Sequence, residues 1–136
     1  MLKRFFPLVF LLFCLGACST DVPEYAPSRK VVMEAQQHFS AGDYASLESL
    51  FSEDFARSES AESRKEKFEA LRGALGAGKS VEVLDSSLSA NAGEIATVTF
   101  TLMSKNERIN STNRYRVVKE GSQYKIAMMD IRAAGQ

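Results

Sequence analysis

The hydrophobic period of this 136-residue chain changes once, near Lys79. Ahead of that point apolar residues recur at helical spacing; beyond it they alternate. A single change of period excludes an alternating strand–helix–strand order and predicts α+β architecture, with helices grouped before an antiparallel meander. The spacing predicts a helix over Ser28–Ser40, with Val31, Val32, Ala35 and Phe39 on one face, Ser28 as its cap and Ala41-Gly42-Asp43 as its stop. A second helix is predicted over Tyr44–Phe55, carrying Leu47, Leu50, Phe51 and Phe55 on one stripe. Ser63-Arg64-Lys65-Glu66 fits a capping box that opens a third helix, with Phe68, Leu71 and Leu75 inward and Gly76 and Gly78 as its end.

The strands follow from alternation. Val81, Val83 and Leu84 begin one that runs to about Leu88, and Ala90-Asn91-Ala92-Gly93 is turn chemistry. Glu94 to Met103 places Ala96, Val98, Phe100 and Leu102 on one face and Ile95, Thr97, Thr99 and Thr101 on the other. Arg108 to Lys119 has Ile109, Tyr115 and Val117 in phase. The last strand, Gln123 to Ile131, carries Tyr124, Ile126 and Met128 on one side and Ala127, Met129 and Ile131 on the other, which predicts a central, buried position. The expectation is three helices packed on one face of a curved four-stranded antiparallel sheet.

Composition removes several function classes. Lys+Arg and Asp+Glu balance at 17 each, against the basic excess of a nucleic-acid binder. Two cysteines and one histidine cannot build a disulfide framework or a zinc finger, and no cofactor motif is present.

The first residues have the form of an export signal. Met1-Leu2-Lys3-Arg4 is a short basic start, and Phe5 to Leu15 is an apolar run of a length that suits a signal core and is too short to span a bilayer. Leu15-Gly16-Ala17-Cys18 then resembles the lipobox of bacterial lipoproteins. That resemblance implies cleavage between Ala17 and Cys18, acylation of the Cys18 thiol (diacylglycerol and palmitate) and anchoring of the mature chain in the cell envelope. Residues 1–17 would then be signal peptide. Loss of Lys3 and Arg4 makes the mature part mildly acidic, and Cys14 departs with the signal. By the sorting pattern of such lipoproteins, Ser19 favours the outer membrane of a Gram-negative host. Residues 18–28, with Pro23 and Pro27, form the lipidated end and a tether whose ten residues beyond Cys18 extend at most ~35 Å. Residues 29–133 are the folded domain and 134–136 a tail.

Ala41-Gly42-Asp43-Tyr44, followed by Leu47, Leu50-Phe51 and Asp54-Phe55, resembles the helix pair of nuclear transport factor 2-like domains, the cystatin-like cone shared with ketosteroid isomerase and polyketide cyclases. The stretch Tyr115 to Ile126 is similar to the closing hairpin of that superfamily, with Tyr124 where a Trp is common. The resemblance spans about Ser28 to Ala133 and implies a sheet curled around a conical pocket. In the enzymes of the group that pocket holds an acid/base carboxylate or histidine, commonly with a tyrosine.

His38, Asp85, Asp130 and Tyr115 are the candidates for such a role. His38 lies at the edge of its helix's apolar face, Asp85 alternates with Val81 and Val83, and Asp130 is in phase with Tyr124, Ile126 and Met128. Met103, Met128 and Met129 are weighed as a soft-metal site, and the adjacent pair fails because neighbouring strand side chains point to opposite faces. Arg108, Arg114, Arg116 and Lys125 form a basic cluster over the last strands. The functional expectation is an envelope lipoprotein that binds an envelope protein or small apolar ligand without catalysis. The alternative is an isomerase- or cyclase-type enzyme using His38 or Asp130. Self-association through the sheet face is compatible with both.

Overall fold

A computed structural model describes residues 23–89 and 96–134, so the signal segment, Cys18, the turn at Ala90–Gly93 and the last two residues lie outside the described part. The described chain forms α1 (Tyr25–Ala41), α2 (Tyr44–Glu48), α3 (Glu53–Arg57), α4 (Ala61–Leu75), β1 (Gly78–Ser89), β2 (Thr97–Asn106), β3 (Ser111–Glu120) and β4 (Gln123–Ala133). The strands make one antiparallel meander in the order β1-β2-β3-β4. Architecture and strand count are those the change of period predicts.

The helices differ in detail. α1 starts at Tyr25, inside the stretch assigned to the tether, so Ser28 is a buried residue of its first turns rather than its cap. Gly42, at φ 73°, ends α1 by donating its N–H to the carbonyls of His38 and Phe39. Asp43 then caps α2 by accepting from the Ser46 N–H at 3.2 Å.

The single helix expected over Tyr44–Phe55 is two. Phe51 breaks it by forming a parallel bridge with Ile126 on β4. The Ser52 N–H donates to the Ile126 carbonyl and the Ile126 N–H to the Leu50 carbonyl, each at 2.8 Å. Those two bonds replace helical ones and bury Phe51, and Ser52 restarts the helix as cap of α3, accepting from the Phe55 N–H. The cap of α4 is Ser60, which accepts from the Ser63 N–H at 3.2 Å, while the Ser63 hydroxyl donates to Glu59. The expected Ser63–Glu66 box does not form, because the helix has already begun at Ala61.

β4 is an edge strand, which corrects the expectation of a central one. Its two-sided apolar pattern has another cause: an extra residue at Ala127 brings Ile126, Met129 and Ile131 to the same inner side, and the Leu50–Ser52 segment bonds the strand's edge at Ile126. Ile109 precedes β3 and is exposed, where strand phase placed it inward.

The core lies between the helices and the inner sheet face. Ala35, Leu47, Phe100, Leu102, Tyr115 and Ile126 are fully buried, and each large apolar side chain so placed contributes about 1.5–3 kcal/mol. Phe39 meets Phe68 edge-on at 5.8 Å, and Tyr25 meets Phe100 at 5.4 Å.

Two register shifts determine which side chains enter that core. Val83 pairs with Leu102 and Asp85 with Thr101, leaving Leu84 as an extra residue in β1. Arg116 pairs with Met128 and Val117 with Ile126, leaving Ala127 as an extra residue in β4. A bulge of one residue reverses the face of everything beyond it relative to simple alternation. Asp85 therefore joins Thr101 on the outer face, and Asp130 joins Arg114 there. Met129 and Ile131, not Met128, pack against the core.

Candidate functional site

Gln36 occupies the apolar stripe of α1 between Val32 and Phe39 and is 2 % exposed. A buried amide must find partners, since each polar group left unpaired costs about 1–3 kcal/mol. The inner sheet face supplies them. Tyr115 Oη and Asn113 Nδ2 both donate to Gln36 Oε1 at 2.6 Å. Gln36 Nε2 points toward Ser104 Oγ and Ser40 Oγ, each at 3.4 Å. The chain of contacts continues from Ser104 through Asn106 to Ser111. Ser104, Ser111, Asn113 and Tyr115 are all buried.

Among the described residues, the buried Asn113 Oδ1 of this network and the buried Ser28 Oγ near the start of α1 have no hydrogen-bond partner. Tyr115 is the one ionisable side chain of the network. Burial pushes its hydroxyl far above the ordinary tyrosine range, so it stays a neutral donor. Gln36 and Ser40 are the members of the network that line a cleft, so the network fixes the Ser40 hydroxyl there without carrying charge.

Gln36 also lies at the floor of a cleft of about 710 Å³ between α1 and the start of β1. Ala26, Met33 and Ala41 on α1 and Val81 on β1 make its apolar surface. Ser40 and Ser80 add hydroxyls, and Arg29, Lys30, Glu34 and Lys79 provide charge. Gly78 sits at one end: a Cβ there would come within 2.6 Å of Ser40 Oγ and 3.1 Å of Ser104 Oγ, so a larger residue requires Ser40 or the strand to shift.

The candidates from the sequence are dispersed. His38 sits in the last turn of α1, half-exposed, with Nδ1 3.4 Å from Asp43 Oδ2. The Asp43 carboxylate is held below its ordinary range, first by the hydrogen bonds from Ser46 and to a lesser degree by His38. Asp85 is exposed on the outer side of β1. Asp130 pairs with Arg132 at 2.9 Å, also outside. Tyr115 alone of the four reaches the interior. Of the basic cluster, Arg114 and Arg116 share the outer face, whereas Arg108 bonds the Gly73 carbonyl and Lys125 the Ser49 carbonyl. No group of three metal-ligating side chains gathers among the described residues. No described helix is long and apolar enough to cross a membrane.

Sequence reasoning passed over Gln36, Asn113 and Ser104, although a signal existed. Each is a neutral polar residue at a position where the helical or strand period calls for an apolar one.

Comparison with solved structures bears on this geometry. A candidate scytalone dehydratase from Novosphingobium aromaticivorans superposes with a TM-score of 0.56 at 18% identity, over 85% of this chain and 87% of that one. A candidate dehydratase of the NTF2-like family from Streptomyces avermitilis superposes with a TM-score of 0.56 at 10% identity, over 84% of this chain and 98% of that one. The fold is nuclear transport factor 2-like. Bd1075 from Bdellovibrio bacteriovorus also superposes, with a TM-score of 0.53 at 14% identity over 79% of this chain, which spans 40% of that longer protein. No protein-family model and no curated protein matches the sequence. At identities this low the superpositions establish the fold alone and leave the site to be argued from its own residues.

Proposed function

We propose that this chain is a lipid-anchored envelope protein whose nuclear transport factor 2-like domain binds a small ligand or a protein segment in the α1–β1 cleft without catalysing a reaction. The carrying observation is the Gln36 network. A buried amide, fixed by Tyr115 and Asn113, holds Ser40, whose hydroxyl lines the open cleft as a neutral, oriented hydrogen-bonding group. The anchor is Cys18, on the strength of the basic start, the apolar run and Leu15-Gly16-Ala17-Cys18. The favoured location is the periplasmic face of the outer membrane, if the host is Gram-negative.

A second reading, acid–base chemistry of the isomerase or cyclase type, has the names of two solved neighbours in its favour. Its proposed residues, His38 and Asp130, are engaged by Asp43 and Arg132, away from Gln36. That geometry favours binding.

Native mass spectrometry of the protein extracted from its own membrane tests both halves of the proposal. An acylated Cys18 and a noncovalent adduct lost in Gln36→Leu are expected. An unmodified Cys18, with Cys18→Ser still membrane-bound, overturns the anchor; a ligand retained equally by Gln36→Leu overturns the site.

A further inference from the structure

The cleft has an unusual wall. Gly78, Lys79, Ser80 and Val81 all line it, although successive strand side chains point to opposite faces. What four consecutive residues share is the edge of their strand. Among the described residues β1 pairs with β2 on one side only, so the other side of its backbone, along which these four residues lie, borders the cleft and α1 opposite. The helical wall runs from Ala26 to Ala41, a length of about 22 Å, which accommodates roughly six or seven extended residues.

The charge along this groove is positive on balance. Lys30 lies 3.9 Å from Glu34 and offsets it. Arg29 on α1 and Lys79 on β1 have no carboxylate partner among the described residues and are exposed. Glu82, the nearest acid on β1, pairs with Met103 on the outer face. Register shifts at Lys79 and Leu84 frame Ser80–Val83 as the regular part of the edge. Bulges and an edge lysine prevent open-ended sheet extension, which leaves a short window for a matched partner.

We infer that this groove receives an extended acidic peptide segment of a partner protein, which adds as a short strand to the Ser80–Val83 edge with its carboxylates on Arg29 and Lys79. The inference rests on the binding reading above and names the partner's chemistry. Backbone hydrogen bonds supply affinity in strand addition, and side-chain complementarity supplies selection.

The test is fluorescence anisotropy of the full chain in detergent with a labelled alternating glutamate–valine hexapeptide. Its lysine–valine counterpart and a version N-methylated at alternate amides are the controls. Both controls are expected to bind at least about tenfold more weakly, one losing charge complementarity and the other the strand bonds. Arg29→Glu/Lys79→Glu should weaken the acidic peptide by at least about tenfold and reverse the preference. Unchanged far-ultraviolet circular dichroism and cooperative melting would establish that this variant folds. Equal binding of the N-methylated and parent peptides overturns strand addition, and absence of binding by the acidic peptide overturns the inference. A small molecule found in the cleft by native mass spectrometry, together with that absence, overturns the peptide assignment while leaving the binding function standing.

Discussion

Tyr115 Oη donates a 2.6 Å hydrogen bond to Gln36 Oε1, joining the middle of β3 to the middle of α1 inside the core. The two partners are unequal in what depends on them. Tyr115→Phe removes one donor and leaves Gln36 Oε1 still accepting from Asn113, so the expected loss is about 1 kcal/mol. Gln36→Leu strands both Tyr115 Oη and Asn113 Nδ2, with an expected loss of about 2–5 kcal/mol. Urea unfolding of the two variants checks the order. The same bond sets a pH dependence. Burial raises the Tyr115 pKa above its ordinary 10.0, so the unfolded chain releases this proton before the folded one. Stability is insensitive to this group below pH 10 and falls as pH rises through the unfolded value. Stability of Tyr115→Phe should fall less steeply over that alkaline range.

Arg64 fastens the broken second helix. It is 3% exposed, yet its guanidinium meets both Glu48 oxygens, donates to the carbonyls of Phe55, Ala56 and Glu59, and lies 5.3 Å from the ring centres of both Phe51 and Phe55. α2, α3 and α4 are thereby tied at one point. Arg64→Ala should lose about 3–5 kcal/mol, because Glu48 is left without its partner. Arg64→Lys should recover little of this, since an ammonium cannot reproduce the planar fork. Thermal melting of the two variants is the measurement, and full rescue by lysine would refute the fork as the source.

The extra residue Ala127 reverses the side-chain phase of β4, and adjacent methionines report it. Unbroken alternation would place Met128 with Ile126, on the core side; the bulge places Met129 there. Met129→Lys should therefore destabilise by about 2 kcal/mol or more. Met128→Lys should stay within about 0.5 kcal/mol. Chemical denaturation of both decides the phase, and the opposite order would restore alternation.

These bulges also mark the boundary of what the sequence makes legible. Strand count, order and the apolar set of β2 follow from alternation, because β2 carries no extra residue between Thr97 and Ser104. Asp85 and Asp130 are misplaced by the same rule, because a bulge is set by pairing with the neighbouring strand and leaves no local period of its own. The break at Phe51 is likewise invisible locally: residues compatible with a helix instead bond to Ile126, far along the chain. Tyr115 was legible as an inward residue. Gln36 and Asn113 are not legible from hydrophobic period, because a polar side chain on a buried stripe leaves the period of its apolar neighbours unchanged.

Gly78 offers a test of how tightly the cleft's end is built. A Cβ at this position meets Ser40 Oγ at 2.6 Å and Ser104 Oγ at 3.1 Å, two hydroxyls that also bracket the Gln36 amide. Gly78→Ala should therefore destabilise by about 1–3 kcal/mol, through displacement of β1 or rotation of Ser40 away from Gln36. Ser40→Ala removes the nearer obstacle at the expense of one long hydrogen bond, so its own loss should be about 1 kcal/mol or less. The double variant is expected to be more stable than the sum of the two losses implies, by about 0.5–1 kcal/mol or more, because the clash is relieved only once. A double-mutant cycle from urea unfolding measures that coupling. Strict additivity would mean that Gly78 is constrained by Ser104 and Asn106 rather than by Ser40.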